Sequence, residues 1–116
     1  MAGYVPDRGD VIWLDFEPTK GKEIGKYRPA LVLSSKRYAR ETKYVIVCPI
    51  STSIRGNAME VPIDGLDRPS AVVSTVVGTY SWKDRKAKKI TKAKPHVVDD
   101  VLLRLIPAIG AEHLFD

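Results

Sequence analysis

Phosphate chemistry is done by arginines, lysines and hydroxyl side chains set among small residues, and two stretches of this sequence supply them. The first runs from Pro18 to Ser35, P-T-K-G-K-E-I-G-K-Y-R-P-A-L-V-L-S-S. Gly21 and Gly25 give its first half permissive backbone. Lys20, Lys22 and Lys26 make that half basic, with Glu23 among them. Arg28 stands directly before Pro29, and a proline drives the residue before it toward extended geometry. Arg28 is therefore expected to project from the mouth of a strand. A basic loop that ends on one fixed arginine can grip and polarise a phosphate. The same residues could also be a solvated loop with an arginine at a sheet edge. The second stretch is Ser51, Thr52 and Ser53, a run of hydroxyls that leads through a loop to Arg55 and Gly56.

RNA cleavage needs few parts beyond these. The substrate's own 2′-hydroxyl can attack the adjacent phosphate, so a protein must orient the nucleotide, move protons and stabilise charge on the phosphorane. An arginine beside a hydroxyl donor suits the last task, and a glutamate can assist proton transfer. Tyr27, Tyr80 or Trp82 could offer surfaces on which bases stack, although an aromatic such as Trp82 also suits a core. The segment from Lys83 to Lys94, K-D-R-K-A-K-K-I-T-K-A-K, carries only Asp84 against its cations. It could track phosphates or be a solvated basic face.

Other chemistries find little support. His96 and His113 lack a second His, Cys or carboxylate at ligand spacing, so neither a metal site nor a Ser-His-Asp arrangement can be argued. The Gly21-Lys22 pair lacks the spacing of a phosphate-cradling P-loop. A single cysteine, Cys48, excludes an internal disulfide framework and reads as a buried structural thiol. The chain near its start carries Asp7, Arg8 and Asp10 where a signal peptide needs an apolar core, and no run approaches the ~20 apolar residues of a membrane span. The expected location is cytoplasmic, with no membrane and no cofactor. A net charge of +5 favours a polyanionic partner.

At 116 residues the chain is expected to form one domain, residues 1–116. Val11 to Phe16, Ala30 to Ser34 and Tyr44 to Ile50, the last closed by Pro49, read as strands. Lys36 to Lys43 between them reads as a helical turn or an irregular crossing. Ala58 to Ile63 is expected at a sheet edge, because Pro62 can donate no ladder bond. Ala71 to Val77, the most β-branched run, is expected as a central strand, broken by Gly78 before a short strand from Thr79 to Trp82. Pro95 opens a helix whose apolar stripe is Val98, Val101, Leu102, Leu105, Ile106 and Ile109, with Pro107 ending or kinking it. Asp99, Asp100 and Arg104 suit the helix dipole. Short strands followed by one helix indicate a mainly β fold, a small SH3-like antiparallel barrel with a C-terminal helix.

Three ordered motifs then carry a resemblance. The opening V-P-D-R-G-D-V-I-W-L-D-F-E-P-T-K-G-K-E, the R-P-A-L-V-L-S block at Arg28 to Ser34, and C-P-I-S-T at Cys48 to Thr52 together resemble the MazF/PemK (Kid) toxins of bacterial toxin–antitoxin pairs. The resemblance is strongest from Tyr4 to Ser53. It implies an SH3-like barrel that forms homodimers and cleaves single-stranded RNA at short sequences without metal, leaving 2′,3′-cyclic phosphate and 5′-hydroxyl ends. It implies Arg28 as the essential arginine, Ser51 in place of the usual threonine, and Glu23 as a supporting glutamate. Lys20, Lys22, Lys26, Tyr27, Thr52, Ser53, Arg55 and Trp82 are the accompanying candidates for RNA contact. It also implies an antitoxin of MazE/PemI type whose acidic, disordered tail crosses the RNA groove.

The sequence departs from the family at two places. Ile24 and Gly25 replace the usual Gln-x-Gly of the loop, and Thr75-Val76 stands where many relatives carry Asp-Gln. A mechanism that relies on that aspartate is unavailable to this chain, whereas the arginine–hydroxyl version is retained. Two other readings stay open: a gyrase poison of CcdB type, for which Phe115 is a poor terminal aromatic, and an RNA-binding barrel without activity.

Overall fold

The structure, a computed structural model, describes residues 3–17 and 26–115. The expectations for Lys20, Gly21, Lys22, Glu23, Ile24 and Gly25 lie outside the described residues. In chain order come β1 (Asp10–Asp15), β2 (Tyr27–Val32), α1 (Lys36–Thr42), β3 (Tyr44–Ser51), β4 (Glu60–Ile63), β5 (Ser70–Val73), β6 (Gly78–Ser81), β7 (Lys88–Lys92) and α2 (Pro95–Ala108). A 3-10 turn, Glu112–Phe115, follows α2. The sheet is antiparallel in the order β4-β5-β3-β2-β1-β7, with β6 also on β3. It curls into a half-barrel, the mainly β fold with a closing helix that the sequence suggests.

Successive residues of β1 bury on opposite faces of this sheet. Val11 joins Leu31, Cys48 and Val72 beneath Val97, Val98, Val101 and Leu105 of α2. Ile12 and Leu14 face the other way and pack with Ala30, Val32, Val47, Ala39 of α1 and Trp82. Both faces are covered, so β1 reads as a nearly continuous apolar run rather than a clean alternation. α1 is a full helix of seven residues, capped by Ser35, whose hydroxyl accepts from the Tyr38 N–H, and closed by Lys43 in the left-handed region.

Four expectations need correction. Pro49 does not close β3, which continues to Ser51. On one edge β3 pairs with β6 from Tyr44 to Val47 and with β5 at Ile50 and Ser51, which leaves Cys48 and Pro49 without a rung. A proline, lacking an N–H, fits that gap. The strand expected over Ala71 to Val77 stops at Val73. β5 and β6 run in the same direction along β3, and the register slips by three residues between the rungs Ile50↔Val72 and Val47↔Gly78. Ser74 to Val77 form the excursion, which exposes Val76 and Val77. β3 turns the barrel's corner here, and its partner on the longer path needs extra residues. In α2 the stripe is shifted: Val97 is buried, whereas Ile109 lies beyond the helix end and is exposed. Arg104 serves as a tether rather than a dipole partner, since its guanidinium donates to the carbonyls of Ala58 (2.7 Å) and Asp100 (2.8 Å).

Candidate functional site

Arg28 is the second residue of β2 and lies across from Leu14 of β1. Cross-strand partners share a face, so the half-buried Arg28 stands at the rim of the Trp82-containing core. Ser51 is the last residue of β3 and pairs with Ala71. The rungs between β2 and β3 run from Val32↔Val47 to Ala30↔Pro49. Arg28 precedes Ala30 by two residues and Ser51 follows Pro49 by two. Both therefore lie at the same end of neighbouring strands, and by strand alternation on the same face. The Ser51 Oγ accepts the Ser53 N–H at 3.0 Å. A hydroxyl that accepts one bond still has its own O–H to donate.

Beyond Ser51, the side chains of Thr52, Ser53 and Arg55 are exposed on a loop. Glu60 ties that loop together: its carboxylate accepts the N–H groups of Arg55 (2.9 Å) and Asn57 (3.0 Å). The Arg55 backbone N–H, followed by those of Asn57 and Gly56, holds the Glu60 carboxyl below its ordinary value. Glu60 falls within the expected edge strand Ala58 to Ile63 and has no role assigned to it from sequence. Its signal is the N-x-x-E spacing from Asn57, which lets one carboxylate reach back over a turn.

Tyr27, next to Arg28 in sequence, points to the opposite face. Its ring stacks on Trp13 with centroids 5.5 Å apart and planes 19° apart, and its hydroxyl donates to the Lys86 carbonyl at 2.9 Å. Both rings are more than a third exposed, so they form a flat aromatic surface. Trp13, which from sequence gives only bulk to its strand, is thus a further candidate for contact. It shares the Val11 face but is not part of the buried cluster to which α2 contributes. Lys26 ends the loop in the left-handed region (φ 68°), a conformation that costs a non-glycine residue about 1 kcal/mol or more. Its N–H donates to the Glu17 carboxylate at 2.8 Å and its carbonyl accepts from the Phe16 N–H at 2.9 Å. Arg85 reaches the same end, donating to the carbonyls of Asp15 and Glu17 and lying over the Tyr80 ring.

Two sequence candidates are not brought to this end as expected. Trp82 is only 7% exposed, and its indole N–H donates to the Ala39 carbonyl at 2.9 Å. Its ring belongs to the core and offers no platform for a base. The basic run is not one continuous track either. It divides into a turn before β7, β7 itself, where Lys89 and Lys92 pair with Asp10, and the start of α2, where the capping residue Lys94 pairs with Asp64. The carboxylates that oppose it come from distant parts of the sequence. Cys48 is buried, its thiol is pushed up to about 12 by burial, and it donates to the Ser74 carbonyl. It is a structural thiol. Among the described residues no three His, Cys, Asp or Glu side chains stand close enough to hold a metal ion, and no helix is long and apolar enough to cross a membrane.

The family described as "PemK-like, MazF-like toxin of type II toxin-antitoxin system" matches residues 7–109. The endoribonuclease toxin MazF of Escherichia coli K12 is 36% identical over 110 residues, covering 95% of this chain and 99% of that protein. The endoribonuclease toxin ChpB of the same strain is 33% identical over 105 residues, covering 85% of this chain and 90% of its own. Among solved structures, MazF of Deinococcus radiodurans superposes with a TM-score of 0.88 at 33% identity, over 93% of this chain and 99% of that one. A MazE–MazF complex from the same organism gives 0.81 at 29%, over 93% and 98%. Motif order, half-barrel and closing helix agree with these relatives over nearly the whole chain, which belongs to the PemK-like, MazF-like family of type II toxin–antitoxin toxins.

Proposed function

We propose that this protein is the toxin of a toxin–antitoxin pair and an endoribonuclease that cleaves single-stranded RNA at a short sequence without metal. The substrate's 2′-hydroxyl attacks the neighbouring phosphorus, the 5′-oxygen leaves, and the products carry a 2′,3′-cyclic phosphate and a 5′-hydroxyl. Arg28 stabilises charge on the phosphorane and donates to the departing 5′-oxygen, and Ser51 hydrogen-bonds the same phosphate. Glu23 assists proton transfer. Lys20, Lys22, Lys26, Thr52, Ser53 and Arg55 bind the strand, and Tyr27 presents a stacking surface. The observation that supports this reading is the meeting of Arg28 and Ser51 at one end of adjacent strands, a guanidinium and a hydroxyl donor on one face. Metal is dispensable in this scheme because the nucleophile belongs to the substrate.

The protein acts in the cytoplasm as a homodimer and is neutralised by an antitoxin of MazE type, whose acidic tail suits a chain of net charge +5. The test is cleavage of a long single-stranded RNA in excess EDTA, with Arg28→Ala in parallel and the product ends mapped. Discrete cuts with cyclic-phosphate ends, absent in the variant, are expected. A folded wild-type protein that cuts nothing would overturn the reading and turn attention to RNA binding alone or to gyrase.

A further inference from the structure

A second concentration of charge lies at the opposite end of β1, about 13 Å along the strand from the Arg28 level at ~3.3 Å per residue. Asp10, with a side chain only 3% exposed, lies 3.3 Å from the Lys92 ammonium and 3.7 Å from that of Lys89. Its other oxygen accepts from the Tyr4 hydroxyl and from the Asp7 N–H. Lysines three residues apart on a regular strand would point to opposite faces. Here the β1–β7 register shifts between Val11 and Ile12, so that Asp10 pairs with Lys92 and Ile12 with Lys89. The irregularity aims both lysines at one side, and both remain about half exposed (47% and 52%).

Facing them, Lys36 and Arg40 stand one turn apart on α1. Between this helix, β7 and the segment around Tyr4 lies a cleft of about 420 Å³. Four cationic side chains line it against two carboxylates, Asp10 and Asp7. Asp10 holds the two lysines, Lys92 also reaches the Asp7 carboxylate at 3.9 Å and donates to the Arg8 carbonyl at 2.8 Å, and Arg40 has no carboxylate partner among the described residues. A metal cation would meet that excess of positive charge. A carboxylate-oriented pair of ammonium groups opposite a forked guanidinium suits an acceptor with several oxygens on one centre. The volume exceeds a single inorganic ion and falls in the range of small-molecule sites.

We propose that this cleft binds the phosphate of a nucleotide. Lys89 and Lys92, fixed by Asp10, take one side of the phosphate, Lys36 and Arg40 the other, and the Tyr4–Val5 wall takes part of the nucleoside. The phosphate belongs either to a free nucleotide or to an RNA strand, and the two sources separate by experiment. Amide chemical shifts of the full chain are followed on titration with adenosine 5′-monophosphate, and, in the Arg28→Ala background, with single-stranded RNA of about four and about twelve nucleotides.

Saturable shifts at Lys36, Arg40, Lys89 and Lys92 with the nucleotide, lost in Arg40→Glu, are expected for a free ligand. If the strand is the source, the longer RNA moves the same amides, the shorter does not, and Arg40→Glu lowers the salt slope of its binding by about one. Arg40→Ala, at an exposed helix position, reports the loss of the guanidinium without a reversed charge. Cleft amides that stay still with every probe at millimolar concentration, or that move equally in Arg40→Glu, overturn the proposal. Neither arm reads cleavage, so failure of the nuclease reading would leave this result interpretable.

Discussion

At the Asp10 end of β1 a nearly buried carboxylate engages two ammonium groups, a phenol and a backbone N–H. At the Leu14 end, where Arg28 emerges, the polar groups mostly bind backbone: Ser51 takes the Ser53 N–H, Glu17 the Lys26 N–H, and Glu60 the N–H groups of its loop. Removing one member of a buried ionic cluster strands the others, so such a cluster is costly to disturb. Backbone-anchored hydroxyls and carboxylates instead fix loop shape, and a hydroxyl such as that of Ser51 that accepts one N–H keeps its own O–H to donate. One strand thus links an end whose charged groups are tied to one another around Asp10 to an end whose polar groups are tied mainly to backbone. Substitutions at the two ends should separate in what they change.

The largest separation is expected between Arg28→Ala and Asp10→Ala. Arg28→Ala should lower cleavage about 10²–10³-fold, the usual loss of a donor to a charged transition state, with little change in urea midpoint. Asp10→Ala should cost about 2–3 kcal/mol of stability, less than a fully buried pair because both lysines are half exposed. In conditions where it is folded it should still cut a short RNA. Equal loss of cleavage from both variants would show that the two ends are not independent.

Ser51 comes next. Ser51→Ala removes a donor to a charged phosphate, a bond worth about 1.5–3 kcal/mol, and should reduce kcat/KM roughly 10–100-fold. Ser51→Thr keeps the hydroxyl on the same Cβ and should stay close to the wild type. Restored activity in Thr but not in Ala assigns the effect to the hydroxyl; equal activity in all three proteins would remove Ser51 from the mechanism.

The reasons some of this was readable in the sequence, and some not, are local and physical. Arg28, Pro29 and the apolar run behind them fix an arginine at a strand mouth through backbone constraints that operate within two residues. Ser51 was legible as a hydroxyl after a strand, and the register brings it beside Arg28. Trp82 misleads because nothing local distinguishes a core indole from a platform; its N–H partner, Ala39, lies far away in sequence. Trp13 was missed for the converse reason, since its stacking partner Tyr27 is brought to it only by the β1–β2 pairing. The excursion at Ser74 to Val77 was invisible because β-propensity says nothing about the corner that β3 turns. The sequence leaves Lys89 and Lys92 open between a phosphate track and a solvated face, because Asp10 is brought to them only by the β1–β7 pairing.

The pH dependence of stability should report the Asp10 end on both limbs. Burial alone would raise the Asp7 carboxyl, but the N–H groups of Arg8 and Lys36, with the Lys92 and Lys36 charges, leave it below its ordinary 3.8. Its folded value lies under its unfolded one, so its contribution is present above about pH 4 and is lost as pH falls through the folded value. Tyr4 is shifted upward by burial and then by its bond to Asp10. Its contribution is complete below the ordinary 10.0 and declines as pH rises past it, because the unfolded phenol ionises first. Asp7→Asn should flatten the acid limb of a denaturation series and Tyr4→Phe the alkaline limb, each by on the order of 1 kcal/mol or less. A limb that keeps its slope in its variant would assign that limb to other groups.

The smallest expected effect belongs to Glu60→Gln. The change keeps the length of the side chain and one acceptor oxygen but removes the charge that draws in the N–H groups of Arg55 and Asn57. Hydrogen bonds to an ionised acceptor are roughly twice as strong as neutral ones. The Arg55 and Asn57 amides should therefore exchange faster with solvent, while the urea midpoint stays near that of the wild type. If the Thr52 to Arg55 loop guides the strand, its loosening should raise KM modestly and leave kcat almost unchanged, since Arg28 and Ser51 are held by β2 and β3. A fall in kcat at constant KM would mean that this loop takes part in the chemical step. Unaltered exchange would mean that the loop owes its shape to the Asn57–Met59 turn rather than to Glu60.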